Sequence, residues 1–226
     1  MKILAVDTTT GCGSVAVIED SRVRAEIGVD SFGTHSTRLP AAIEALLGAL
    51  QWTVRDMDGF AVTPGPGSFT GIRIGLSTIQ AFAFASGKPI AAVSSLRAMA
   101  WKLRDDGVSL VCPLHDAKRG EVYAALYSFD KGRMTTIVPE GAYPPVQFQA
   151  LLPKGRKILF FGGGFRVIEP LLLKGGRDRA LVSSRTPFIA AEVGLLGAEM
   201  IAAGKGIAPD VLEPLYLRRS QAEEVR

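Results

Sequence analysis

The sequence predicts an α/β protein of two similar halves, each with the element order β-β-β-α-β-α-β-α. Three observations predict it. Strand-like patterns come in threes joined by tight turns, once at the start and again from about residue 109. Each triplet is followed by segments that alternate between helical and strand periodicity. In both halves a glycine-rich turn, "PGPG" or "GGG", follows a strand and opens a helix.

The first strand is Lys2–Asp7. The turn "TTTGCGS" leads into alternating "SVAVIED", and Asp20-Ser21 turns the chain into "RVRAEIGVD". In "HSTRLPAAIEALLGAL", Leu39, Ile43, Leu46, Leu47 and Leu50 fall on one helical face, and Pro40 suits an early turn. "GFAVT" reads as a strand, followed by the loop "TPGPGSFTGIRIG" and a long helix that ends at Gly87. "KPIAAV" is a strand, and "SSLRAMAWKL" a helix with serine at its N-cap.

The second half follows the same order. "SLVCPLHD", "EVYAALYSF" and "RMTTIVPEGAY" are strands, and "PVQFQALLP" is a short helix. "KILFFGGG" is a strand with a glycine turn, "FRVIEPLLL" a helix, "ALVSS" a strand and "FIAAEVGLLGAEMIAAG" a helix. The halves span 1–105 and 106–205, with the tail 206–226 rejoining the first. This order, given twice, is the layout of the actin-like ATPase (ASKHA) fold, which places its ligand between the halves. No sequence repeat is visible, so an α/β sandwich without duplication is the alternative.

Composition narrows the class. The 226 residues are 47% hydrophobic, enough for a sizeable core. No apolar run approaches the roughly 20 residues that span a bilayer, and "MKILAVD" enters a strand with no signal-peptide layout. A soluble cytoplasmic protein is expected. Cys12 and Cys112 have neither CxxC spacing nor a disulfide framework. The net charge of +4 comes from scattered basic residues, and the pair Arg218-Arg219 is too little to argue for nucleic-acid binding.

The loop "TPGPGSFTGIRIG" is not a Walker A loop, because no lysine follows, and it misses GxGxxG, because the third glycine falls at Gly71. Its backbone amides, the Ser68 and Thr70 hydroxyls and the helix N-terminus could hold an anion. Equally, the glycines could serve close helix–strand approach. The helix that follows carries one charge, Arg73, and small residues at Gly75, Ser77, Ala81, Ala83 and Ala85. Such a helix is buried by the core, by a partner helix, or by both. Gly75 is the expected point of partner approach, with Ser77 and Ala81 as alternatives.

Asp7 ends the first strand beside the polar turn "TTTGCGS"; in actin-like kinases the equivalent turn contacts phosphate and the aspartate helps hold a metal. That role needs acidic partners. Asp116 ends the matching strand of the second half, and reads as a turn residue. His35 and His115 form no HxxH or HxxxH pair, and no GxSxG marks a serine nucleophile. A hydrolase finds little support.

The segments "ILAVDTTTGCGSVAV", "HSTRLPAAIEALL", "VTPGPGSFTGIRIGLSTIQAFA", "AVSSLRAMA", "DAKRGEVYAALY" and "PLYLR" come in the order and spacing of the bacterial TsaB (YeaZ) family. Members of that family assist synthesis of the threonylcarbamoyladenosine beside the tRNA anticodon. The resemblance covers nearly the whole chain, and "GPGSFTGIRIG" is its most specific motif. It implies an actin-like fold and a non-catalytic relative of TsaD, the transferase. TsaD has a related loop but is longer, and carries a His-x-x-x-His metal motif. In the corresponding stretch "SSLRAMAW", Ser95 and Met99 hold the histidine places. That departure argues against metal-assisted catalysis.

The resemblance also implies partners. The loop and the helices Ser36–Leu47 and Ile72–Ser86 resemble the surface used for homodimers and for pairing with TsaD. The residues it implies are Ser36, Leu39, Ile43, Leu46, Ser68, Phe69, Thr70, Ile72, Arg73, Gly75, Leu76 and Ile79. An ATPase, TsaE, joins that complex, tRNA is met only indirectly, and no membrane is involved. The chain is expected to need no metal and no cofactor, apart from a weak ATP or ADP contact at the partner interface. The competing class is a small actin-like kinase or ATPase that binds ATP itself. Its candidate contacts are Asp7, Thr8, Thr9, Gly163 and Gly164, the last two in "FFGGGF", which resembles a glycine turn beside adenosine. A glycoprotease-like peptidase ranks last.

Overall fold

The structure, a computed structural model, describes residues 1–30, 34–173 and 179–218. The chain divides into two compact units. The first is Met1–Ala98 with Pro187–Leu215, and the second is Met99–Thr186 with Tyr216–Arg226.

In the first unit, β1 (Lys2–Asp7), β2 (Gly13–Glu19), β3 (Arg22–Val29), β4 (Gly59–Val62) and β5 (Ile90–Ala92) form one sheet in the order β3-β2-β1-β4-β5. β1 runs antiparallel to β2, with Asp7 opposite Ser14, and parallel to β4, with Val6 opposite Val62. Both faces of β1 are covered, so it reads as an unbroken apolar run. On one face Leu4, Val6, Val15, Val17, Phe60 and Val62 pack with α1 (His35–Ala49) and α2 (Phe69–Ser86). The other face carries small side chains and meets α6 (Ala190–Ala202). There Gly194 lies against Ala5 and Ile18, and a Cβ on Gly197 would stand 2.5 Å from that of Ala61.

α6 therefore belongs to the first unit, whereas the sequence reading placed it in the half 106–205. Helical periodicity says that a face is apolar but not which sheet it covers. As far as Leu215 the tail packs on the first unit: Ile207 bridges Ile90, Leu212 enters the core, and Leu215 N donates to Pro64 O at 2.8 Å. Tyr216–Arg218 group with the second unit, and residues 219–226, including Arg219, lie outside the described residues.

The second unit holds β6 (Leu110–Lys118), β7 (Glu121–Asp130), β8 (Arg133–Tyr143), β9 (Ile158–Phe161) and β10 (Ala180–Val182), in the order β10-β9-β6-β7-β8. α4 (Pro145–Leu151) and α5 (Phe165–Leu173) accompany this sheet, and α3 (Ser95–Lys102) spans the boundary between the units. Leu110, Cys112, Leu114, Ala124, Phe148 and Phe160 centre its core. Read from β3 and from β8, the two sheets have one topology. With the helices this is the actin-like arrangement the element order predicts. Among the described residues no helix is long and apolar enough to cross a membrane.

Candidate functional site

The candidate site is the turn between β1 and β2, with the elements pressed against it. Asp7 sits at the end of a central buried strand and is itself 1% exposed. Its Oδ1 accepts from Thr9 N at 3.1 Å, Thr9 Oγ1 at 2.7 Å and Thr63 Oγ1 at 2.6 Å. Burial raises its pKa above the usual carboxylate value, and the threonine hydrogen bonds act against that rise. Thr8 and Thr9 are buried as well. Thr8 Oγ1 donates to Gly71 O at 2.8 Å.

The loop 63–68 and the start of α2 close over this turn. Ser68 N donates to Thr9 O at 2.7 Å, and Ser68 Oγ caps the helix by accepting from Gly71 N at 3.3 Å. A Cβ on Gly71 would overlap the Thr8 carbonyl oxygen, and one on Gly75 would overlap Thr8 Oγ1. The glycines thus serve close approach of helix to strand end, one of the two roles left open above. Gly65, at φ +138°, faces Leu215 O, where a Cβ would stand 2.5 Å away.

α1 grips the same turn from the other side. His35 Nε2 donates to Thr10 O at 2.6 Å, and Arg38 Nη2 to Gly11 O at 3.3 Å. Three successive carbonyls, of Thr9, Thr10 and Gly11, thereby receive donors from Ser68, His35 and Arg38. The sequence reading assigned no role to His35 or Arg38. Their spacing of three at a helix start was the available signal, since it puts both on one face.

Among the described residues no group of three His, Cys, Asp or Glu side chains could hold a metal ion. Asp116 behaves as the turn residue expected of it: Lys118 N donates to Oδ1 at 2.7 Å and Lys118 Nζ to Oδ2 at 3.0 Å. Ser95 Oγ donates to Pro66 O at 2.7 Å, and Ser95 N to Gly65 O at 2.9 Å, so this side chain ties α3 to the glycine loop. Met99 packs instead on Gly162 in the second unit.

Gly163 and Gly164 lie in the turn between β9 and α5 of the second unit. Gly164 N donates to Leu114 O at 3.2 Å, and a Cβ there would meet the His115 backbone at 2.7 Å. Gly163 has open space around it. Asp7, Thr8 and Thr9 come together in the first unit.

The residues expected at an interface divide into two sets. Leu39, Ile43, Leu46, Ile72, Gly75, Leu76 and Ile79 are buried within the first unit. An apolar helix stripe satisfies its own sheet first, and here that stripe includes Gly75, not the outward face expected of it. Ser36, Ser68, Phe69, Thr70 and Arg73 are exposed, as are Ser77 and Ala81. On the same helix Phe84 is 64% exposed, and Arg73 stacks over the Phe69 ring at 3.9 Å.

The family model described as "TsaD: tRNA N6-adenosine threonylcarbamoyltransferase" matches residues 31–171. A curated relative, the tRNA threonylcarbamoyladenosine biosynthesis protein TsaB of Bacillus subtilis (strain 168), is 34% identical over 231 residues, 99% of this chain and 96% of its own. The solved structure of YeaZ from Pseudomonas aeruginosa superposes with a TM-score of 0.82 at 29% identity, covering 96% of this chain and 99% of that one. Component A of (R)-2-hydroxyglutaryl-CoA dehydratase from Acidaminococcus fermentans superposes at 0.52 with 12% identity, over 89% of this chain and 99% of its own. That last likeness is one of fold alone.

Proposed function

The chain belongs to the TsaB family of tRNA threonylcarbamoyladenosine biosynthesis proteins, and from that premise we propose that it is a non-catalytic scaffold that holds TsaD in its working arrangement. The closed β1–β2 turn carries this reading. The Thr8 and Thr9 hydroxyls and Oδ1 of the Asp7 carboxylate, groups an actin-like kinase would turn toward phosphate and metal, are engaged in bonds within the unit. Ser95 and Met99 stand where TsaD has its histidines, and both have packing duties.

The surface offered for pairing is the outward stripe of α2, Phe69, Arg73, Ser77, Ala81 and Phe84, with Ser36, Ser68 and Thr70 beside it. Two aromatic rings beside the small Ser77 and Ala81, with Arg73 folded over Phe69, suit a partner helix, since small side chains let backbones approach. The same stripe serves self-pairing when the chain is alone. TsaE joins through the pair, in the cytoplasm. Any ATP or ADP contact at the partner interface is weak.

The test is Ala81→Arg, a change on the exposed stripe. The variant is expected to keep its circular dichroism melt and to lose association with itself and with TsaD in sedimentation. Transfer of the threonylcarbamoyl group should require added TsaD at any metal concentration. Normal pairing of the folded variant, or tRNA modification by the lone chain, would sink the proposal. Low-micromolar ATP binding by the lone chain, about −8 kcal/mol, would favour the actin-like kinase reading instead.

A further inference from the structure

The two units differ in charge. Met1–Ala98 carries eight Lys and Arg against eight Asp and Glu, whereas Met99–Thr186 carries fourteen against eight. Strand register shows where much of that surplus goes. β6 meets β9 with Val111 opposite Leu159, and β9 meets β10 with Ile158 opposite Ala180. β6 meets β7 with Leu110 opposite Ser128, close to the hairpin into β8. The starts of three strands and that hairpin therefore share one end of the second sheet.

This end bears Lys154, Arg156 and Lys157 before β9, Arg179 before β10, and Lys131 and Arg133 at the hairpin; all six are exposed. With neighbouring strands about 4.8 Å apart, five strands make a rim about 19 Å across. The acids nearby in the chain are Asp105, Asp106, Asp130 and Asp178, the last outside the described residues. Arg104 takes Asp105, and Arg185 takes Asp106 through Nε at 3.0 Å. Among the described residues none of the six cations is ion-paired to a carboxylate. Arg156 Nη2 reaches Ser109 Oγ at 3.5 Å. Like charges gathered on one rim repel one another, and such a field attracts a polyanion.

We propose that this rim contacts the phosphate backbone of the tRNA substrate directly. The proposal rests on the reading that the assembly acts on tRNA, and it goes beyond the indirect contact expected from the sequence. The six residues are spread over positions 131–179, so they look scattered until register gathers them. Contacts of this kind hold and orient an RNA without reading its bases. Binding by the lone chain should be weak, with Kd of about 10⁻⁴ to 10⁻⁶ M, and steeply salt-dependent.

The experiment uses the full chain alone and a fluorescent, unmodified tRNA transcript, with anisotropy followed across a salt series. The variant Lys154→Ala/Arg156→Ala/Lys157→Ala should bind at least tenfold more weakly at low salt. Three lost phosphate contacts should lower the slope of log K against log salt by about 2. An independent variant on the hairpin, Lys131→Ala/Arg133→Ala, should lower it by about 1 and covers the case in which the first fails to fold. No binding by the wild-type chain, or variants that bind with its affinity and slope, would overturn the proposal. TsaD takes no part in this assay. Lost tRNA binding with intact TsaD pairing therefore confirms the rim as a separate surface, and failed TsaD pairing by the wild type breaks the scaffold reading instead.

Discussion

In the first unit the start of the turn after the opening strand is buried under two helices; in the second the corresponding turn stands in solvent. Thr8 and Thr9 are 1% exposed, whereas Lys118, Arg119 and Gly120 are exposed and have φ of +64°, +53° and +77°. The helix after the glycine turn also differs, with 18 residues in α2 and 9 in α5. One strand order supports both arrangements. What differs is where glycine lets a helix touch the turn. Gly71 and Gly75 meet the β1–β2 turn at Thr8, while Gly162 and Gly164 meet β6 at Leu114 and His115, short of the β6–β7 turn, and Gly163 meets nothing within 4 Å. The first unit closes this turn by packing, and the second keeps an exposed turn at one end and a basic rim at the other.

Gly75→Arg should break this contrast most severely. It drives a long side chain against Thr8 and Val6 in the buried seam. Buried charge and overpacking together should cost about 4 kcal/mol or more. Trp52 lies in the first unit and Trp101 in the second. Loss of native Trp52 fluorescence in a Trp101→Phe background would show the damage, and a mutant with an unchanged melt would refute the closed seam.

Acid should act on the second unit through His115. Burial lowers its pKa to about 4 from 6.5, so the folded chain holds it neutral. Between those values the unfolded chain binds more protons. Its stability contribution is thus full above about pH 6.5 and is lost as pH falls through about 4. The limit is about 3 kcal/mol. Urea melts at pH 7 and pH 4, followed by Trp101, should show this loss, and His115→Gln should remove most of it. Equal slopes in both proteins would contradict a buried neutral imidazole.

Smaller effects sharpen the same comparison. Ser68→Ala deletes the cap on Gly71 N and should cost about 1 kcal/mol. Gly163→Ala, in the matching turn of the second unit, should stay within about 0.5 kcal/mol, because open space surrounds it. Thermal melts measure both. A Gly163→Ala penalty as large as that of Ser68→Ala would mean that position 163 is packed as tightly as Gly162 and Gly164 beside it.

Much of this molecule is legible in its sequence because the signals are local. Period-two runs such as "SVAVIED" give strands, and "IRIGLSTIQAFAFASG" gives a helix closed by Gly87 at φ +67°. The triplets of strands and their following helices appear in the predicted order, and segments such as "GPGSFTGIRIG" carry the resemblance to the TsaB family. The absence of an HxxxH pair and of a nucleophile motif is likewise a fact of sequence.

Tertiary structure decided what periodicity cannot encode. A helix apolar nearly all round does not say which side meets its own sheet, so Gly75 was expected outward and lies inward against Thr8. The helix 190–202 follows the second half in the chain but packs on the alanine-lined face of the first sheet, where Gly194 and Gly197 fit. His35 and Arg38 matter only because the fold brings Thr10 and Gly11 to them across 25 and 27 positions. The six cations of the rim are neighbours only through strand register. In each case the deciding contact joins residues distant in sequence, and such pairings are settled by shape and burial once the chain is compact.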